Sequence, residues 1–329
     1  MKVTKKKIDD LNYKLTLDIA GEDYAEIERK KLADRRKTAE FKGFRKGNVP
    51  ASLIKKIYGE QALVESVNTV ISEQLDKYIS ENKLHILGEP LASETQPEVE
   101  WVSGGDFKFV FDIALSPEVN VEAGKDDEVA KYTITTSEKE KTEMKENLAK
   151  YYEEKKEEKT DDELVKEVAE RLSANYKQEA EWRLTRDIRD YFVKKAGVTL
   201  PEEFLKRWLF AANNGKVSKE DIEKEFPGFA EDFKWQLVRG SFMKKYDFKV
   251  TEADIREAAK AFVTYQYAMY GIANVPEDMI EEASKRVFED RQQLARLEEQ
   301  CEDQKVLEKL KEEITIKSKR ISSEKFREL

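Results

Sequence analysis

Gly43-Phe44-Arg45-Lys46-Gly47-Asn48-Val49-Pro50 lies between two stretches of helical character. An aromatic residue and two adjacent cations stand between two glycines, and a proline opens the second helical stretch. Glycine turns the backbone where a side chain would be strained, and Pro50 suits the first turn of a helix. The stretch therefore reads as the tip of a helical hairpin that presents Phe44, Arg45 and Lys46 outward. Such a tip suits docking onto a surface better than it suits chemistry.

Working outward, residues 10–20 alternate, with Leu11, Tyr13, Leu15, Leu17 and Ile19 on one side, as in a half-buried strand. Glu22 to about Phe41 turns helical and charged. Pro50 to about Asn82 reads as a long helix with Leu53, Ile57, Leu63, Val67, Val70, Ile71, Leu75 and Ile79 on its apolar stripe. Glu98–Val102 and Phe107–Leu115 are strand candidates, joined by a hairpin turn at Ser103-Gly104-Gly105-Asp106. Strand, two helices and strands make a small α+β domain over residues 1–117.

Charge singles out the same hairpin. Between Arg29 and Lys56 there are eleven cations against Asp34 and Glu40, on a chain whose net charge is −9. A basic patch on an acidic protein points to a polyanionic partner. A lysine-rich run is more often a merely solvated face, but this one coincides with the exposed loop.

Residues 118–160 read as an extended arm and linker: a short strand at Lys131–Thr136, then an exposed helix to about Glu158 whose apolar anchors are Met144, Leu148, Tyr151 and Tyr152. From Asp161 to Leu329 the pattern is helical. A long helix ends at Gly197, and Pro201-Glu202-Glu203 restarts the chain. Asp221–Phe226 and Gly228–Phe248 come next as two helices. Thr251-Glu252-Ala253-Asp254 caps another, Pro276 opens the next, and Ser318–Leu329 is expected to be a frayed tail. The fold class is an α+β N-terminal domain followed by an all-α C-terminal domain, elongated, multi-domain and helix-dominated.

Gly-Phe-Arg-x-Gly-x-Val-Pro, at the end of a basic helical segment, resembles the ribosome-binding signature of bacterial trigger factors. That family often has a lysine where this chain has Asn48. The resemblance extends over residues 1–117, and the Val198-Thr199-Leu200-Pro201 and Lys249-Val250-Thr251-Glu252 steps resemble the family's substrate-cradling C-terminal domain. It implies an ATP-independent chaperone docked at the polypeptide exit of the large ribosomal subunit, on ribosomal protein and RNA, shielding nascent and unfolded polypeptides. Gly43, Phe44, Arg45, Lys46 and Gly47 would form the dock. Arg29, Lys30, Arg35, Arg36, Lys42, Lys55 and Lys56 would steer it toward RNA. The family also dimerises through the docking domain, which adds a homodimer off the ribosome. Trigger factors commonly carry an isomerase domain of the FK506-binding type after the docking domain. Between Asp106 and Ala196 this chain has a single glycine, Gly124, too few turns for such a module. The expectation is a chaperone that is not an enzyme. The alternatives are a peptidyl-prolyl isomerase, as the complete family is, and a non-ribosomal helical adaptor or RNA-binding scaffold.

Little else carries chemistry. His85 is the single histidine, placed at the end of the long helix, which excludes a two-histidine metal site. Cys301, the single cysteine, lies among acids that oppose a thiolate. No phosphate-binding glycine loop is present, and no cofactor or metal is expected. The start Met1–Lys7 has no apolar signal core and no segment is long enough to span a membrane, so a cytoplasmic protein is expected. The apolar lead is the run from Phe262 to Tyr270. There Phe262, Gln266, Met269 and Ala273 share roughly one helical face, while Tyr265 and Tyr270 fall on others. A helix with aromatics on all sides is either a buried central helix or a surface for unfolded polypeptide. Phe262, Tyr265, Met269 and Tyr270 are the client-binding candidates.

Overall fold

The alternation around Leu15 and Leu17 becomes β2 (Asn12–Ile19), an inner strand of an antiparallel sheet ordered β1-β2-β4-β3, with β1 at Lys2–Lys7, β3 at Ile86–Ala92 and β4 at Phe107–Leu115. The computed structural model describes residues 1–155, 157–272 and 274–329. They form two compact units, Met1–Glu118 with Thr199–Ala230, and Val119–Val198 with Glu231–Leu329.

In the first unit, register sets Leu15 opposite Phe111, Leu17 opposite Phe109 and Ile19 opposite Phe107. Paired residues share a face of the pleat, so this face is continuous and apolar. Onto it pack α1 (Gly21–Thr38) and α2 (Ala51–Glu81) through Tyr24, Leu63, Val67, Val70, Ile71 and Leu75. The Tyr24 hydroxyl donates to the Gly105 carbonyl at 2.8 Å and accepts from the Gly104 amide at 2.9 Å, which pins the turn before β4.

Two sequence expectations change here. Glu98–Val102 is not a strand, and Ser103–Asp106 does not close a hairpin, because the edge of β4 is taken by β3. The intervening segment is held by a side chain instead. Gln96 Nε2 donates to the Lys108 carbonyl at 3.0 Å and Gln96 Oε1 accepts from the Val110 amide at 2.6 Å. This one amide supplies a donor and an acceptor as a strand residue would. His85 precedes β3 rather than ending the helix; it is exposed, and its carbonyl accepts from the Ser116 amide at 2.7 Å.

The first unit also contains α5 (Glu202–Ala212), which packs against β3 and β4. Gly88 has φ +66°, and a Cβ there would stand 2.6 Å from the Trp208 indole nitrogen. Beside it, Arg207 donates to Asp112 Oδ2 at 2.8 Å and to the Ala92 carbonyl at 3.1 Å.

The second unit is helix-dominated, with α3 (Glu138–Lys155), α4 (Asp161–Ala196), α7 (Glu252–Met269), α8 (Glu277–Glu289) and α9 (Arg291–Glu313). Thr160 caps α4 reciprocally with Glu163, and Gly197 at φ +59° ends it. Thr251 and Asp254 repeat the capping pair on α7. Asp221–Phe226 and Gly228–Phe248 are one helix, α6 (Lys219–Lys245), with Pro227 inside it. Proline removes one helical donor, but buried Ile222, Phe226 and Ala230 hold the helix on both sides of it.

Residues 118–160 are not a linker in this fold. Val121 and Val129 enter a core with Leu184, Ile188, Phe192, Trp235 and Leu310, and Leu148 enters a second with Leu164, Val168, Leu172 and Tyr176. The expected frayed tail is ordered as well. Thr315–Ser322 forms β6, paired in parallel along its length with β5 (Glu128–Thr135), and Ser323–Phe326 forms α10.

Candidate functional site

The loop 43–50 is two successive tight turns. The Phe44 amide donates to the Phe41 carbonyl at 3.0 Å, and the Asn48 amide to the Arg45 carbonyl at 2.9 Å. Gly43 at φ +92° and Gly47 at φ +83° each occupy the third position of a turn, where type II geometry demands a positive φ. The consequence is an outward-facing Phe44-Arg45-Lys46, with Phe44 43% exposed and both cations exposed.

The root of the loop is rigid. Val49 is fully buried and packs with Ala39 and Ile54, backed by Leu32, Phe41, Leu53 and Tyr58. The Phe41 ring meets Tyr58 edge-on at 6.3 Å, and Arg36 Nε donates to the Val49 carbonyl at 2.7 Å. Arg36 thus ties the end of α1 to the far side of the loop.

The cations expected to steer divide into two groups. Lys30 pairs with Glu26 at 2.9 Å, and Arg35 pairs with Glu65 at 3.4 Å and lies over the Tyr58 ring. Arg36 is spent on the loop root. Arg29, Lys42, Arg45, Lys55 and Lys56 are exposed and form no ion pair among the described residues. Lys46 reaches Glu40 at 3.4 Å, both well exposed, an arrangement worth little. The apolar stripe expected of α2 includes Ile57, yet Ile54 is buried and Ile57 is 48% exposed, an apolar neighbour of Lys55 and Lys56 that periodicity alone misses. Its signal is the one-turn ambiguity between positions 54 and 57.

The run on α7 is amphipathic. Ile255, Ala259 and Val263 are buried against Val287 and Leu297, with Tyr267 partly covered. Phe262 is exposed, Tyr265 is 63% exposed, Met269 71% and Tyr270 84%. Ile272, which follows α7, and Met279, in the first turn of α8, are exposed as well, at 48% and 49%. From Ala261 to Ser284 there is no cation, only Glu277, Asp278, Glu281 and Glu282. Ala273, read onto the same face, lies outside the described residues. A buried central helix does not describe α7, because its aromatic side is unpacked.

Among the described residues no group of three or more His, Cys, Asp or Glu is placed to hold a metal ion. Cys301 is buried, and burial first and Asp254 next push its thiol pKa up. Among the described residues no helix is long and apolar enough to cross a membrane.

Comparison with known proteins gives both ends of the chain the same affiliation. Residues 1–148 match the family model "Bacterial trigger factor protein (TF)" and residues 180–329 match "Probable trigger factor, C-terminal domain". The trigger factor of Francisella tularensis subsp. novicida (strain U112) is 31% identical over 152 residues, 46% of this chain and 34% of the relative. That of Citrifermentans bemidjiense is 34% identical over 121 residues, 37% of this chain and 27% of the relative. The match therefore spans about a third of the curated relatives' length. A solved structure described as "Promiscuous Substrate Recognition in Folding and Assembly Activities of the Trigger Factor Chaperone" superposes with TM-score 0.52 over 95% of this chain and 100% of that one, at 14% identity, a likeness of fold. With an α+β first unit, a helix-dominated second unit and family models matched at both ends, the chain belongs to the trigger factor family.

Proposed function

We propose that this chain is an ATP-independent chaperone that docks at the polypeptide exit of the large ribosomal subunit through Phe44, Arg45 and Lys46 and shields emerging polypeptide with the exposed side of α7. The observation that carries the reading is the loop itself: two glycine turns on a fully buried Val49 root hold an aromatic and two cations out in solvent. Arg45 suits bidentate pairing with carboxylate or phosphate, and Phe44 suits an apolar notch. Arg29, Lys42, Lys55 and Lys56 add a salt-dependent attraction to RNA.

Phe262, Tyr265, Met269 and Tyr270 form the client surface, where pliable methionine and amphipathic tyrosine accept many sequences weakly. The partners are then the exit-site protein and RNA, nascent and unfolded chains, and off the ribosome a second copy through the docking unit. The protein works in the cytoplasm. It acts as a chaperone without proline isomerisation. Turnover of a proline-containing test peptide by the purified chain would contradict that point.

The deciding experiment is co-sedimentation with bacterial ribosomes at moderate salt. A Phe44→Ala, Arg45→Ala, Lys46→Ala triple variant should lose binding by about tenfold or more while keeping its circular dichroism spectrum. Absence of binding by the unaltered chain would remove the ribosome from the proposal.

A further inference from the structure

The client surface has an uneven distribution of sulfur. Of five methionines, Met144 and Met243 are partly buried against the cores of the second unit, and Met1, 44% exposed, belongs to the first unit. Met269 is 71% exposed and Met279 49% exposed. Met269 ends α7 next to exposed Tyr270, and Met279 lies in the first turn of α8. The single thiol is poorly placed to compete for an oxidant, because Cys301 is buried and its thiolate is disfavoured by burial and by Asp254.

Resting on the client-surface reading above, we infer that Met269 and Met279 form an oxidation-sensitive modification site that turns client binding down when peroxide is present. The chemistry balances simply. The thioether sulfur attacks one peroxide oxygen, an S–O bond forms as the O–O bond breaks, sulfur is oxidised by two electrons and water leaves. The product is a polar sulfoxide where a soft apolar group stood. A dithiol reductant reverses the step through a methionine sulfoxide reductase, with loss of the oxygen as water and formation of a disulfide. The loss falls on binding rather than on folding, because neither side chain belongs to a buried core.

The test uses the full chain, hydrogen peroxide removed by catalase before the assay, and carboxymethylated α-lactalbumin as a permanently unfolded client followed by fluorescence anisotropy. Peptide mass mapping should show Met269 and Met279 oxidised ahead of Met144 and Met243. Affinity should then fall about fivefold with an unchanged circular dichroism spectrum, and recover after reductase treatment. A Met269→Leu, Met279→Leu variant, compared with its own untreated sample, should show no fall in affinity after peroxide. The inference is overturned if the doubly oxidised chain binds as before, if the leucine variant loses affinity equally on oxidation, or if Met144 and Met243 oxidise as fast. Failure of the untreated chain to bind the client at all would instead overturn the client-surface reading, and the inference with it.

Discussion

Glu140 collects more hydrogen bonds than its place on a charged helix suggests. Tyr176 and Ser323 each donate to it at 2.7 Å, Ser137 donates through its amide at 2.9 Å and its hydroxyl at 3.1 Å, and Arg327 adds a charged contact. Burial opposes the charge, but these donors win and bring the carboxyl from its ordinary 4.5 to about 2. A depressed folded pKa means that the contribution is present above pH 4.5 and is lost as pH falls toward 2. Glu140→Gln should therefore cost about 2 kcal/mol at neutral pH, and the difference from the unaltered chain should shrink between pH 4.5 and pH 2 in urea unfolding. Arg239 shows the opposite polarity. It is buried and lies within 3.1 Å of Glu299, Glu302 and Asp303. Arg239→Ala leaves three partly solvated carboxylates near one another and should cost about 1–3 kcal/mol in urea unfolding. Neither role is legible in the sequence, where both residues are members of a long series of charges.

Among elements, α5 depends on a missing side chain. Gly88 at φ +66° lets the Trp208 indole lie where a methyl group would stand, and the strand backbone there is left-handed, which only glycine adopts cheaply. The Asp112 carboxyl below it is pushed up by burial, then more strongly down by hydrogen bonds from Arg207 and Ser93 and by the Lys14 charge, so it stays ionised against Arg207. Gly88→Ala should destabilise the first unit by about 2–3 kcal/mol and strip hydrogen-exchange protection from residues 202–212, while leaving the loop at 43–50 intact. The elements that the sequence places well are those with local reasons: α2 from its apolar stripe, the end of α4 from Gly197, the start of α7 from Thr251 and Asp254. Those it misplaces have non-local reasons. Ile86–Ala92, to which the sequence reading assigns no strand, forms β3 because β4 pairs with both its ends, Ile86 and Leu87 opposite Leu115 and Ala114, Leu91 and Ala92 opposite Asp112 and Phe111, with an irregularity between them. Charged Thr315–Ser322 is a strand because β5 lies parallel beside it.

At the scale of the molecule, each unit has its own core, so urea unfolding should show two transitions. Gly88→Ala should shift one of them and Glu140→Gln the other. Coincident shifts in both transitions would contradict the division. The same scale explains why a linear division at 117 and 160 does not match the units. Residues 199–230 join the first unit and residues 119–135 the second, contacts that no local pattern announces. The loop at 43–50 is legible in residue chemistry alone, because glycine's tolerance of positive φ and proline's fit at a helix start belong to the residues themselves. So are the helices with caps and stripes, and the class of the fold. Which cations are free is a matter of packing, since Arg36 and Arg29 are equivalent until the Val49 carbonyl captures one of them. Packing also turns the aromatics of α7 to solvent: a helix apolar on several sides can bury any one of them, and contact with Val287 and Leu297 selects the side of Ala259.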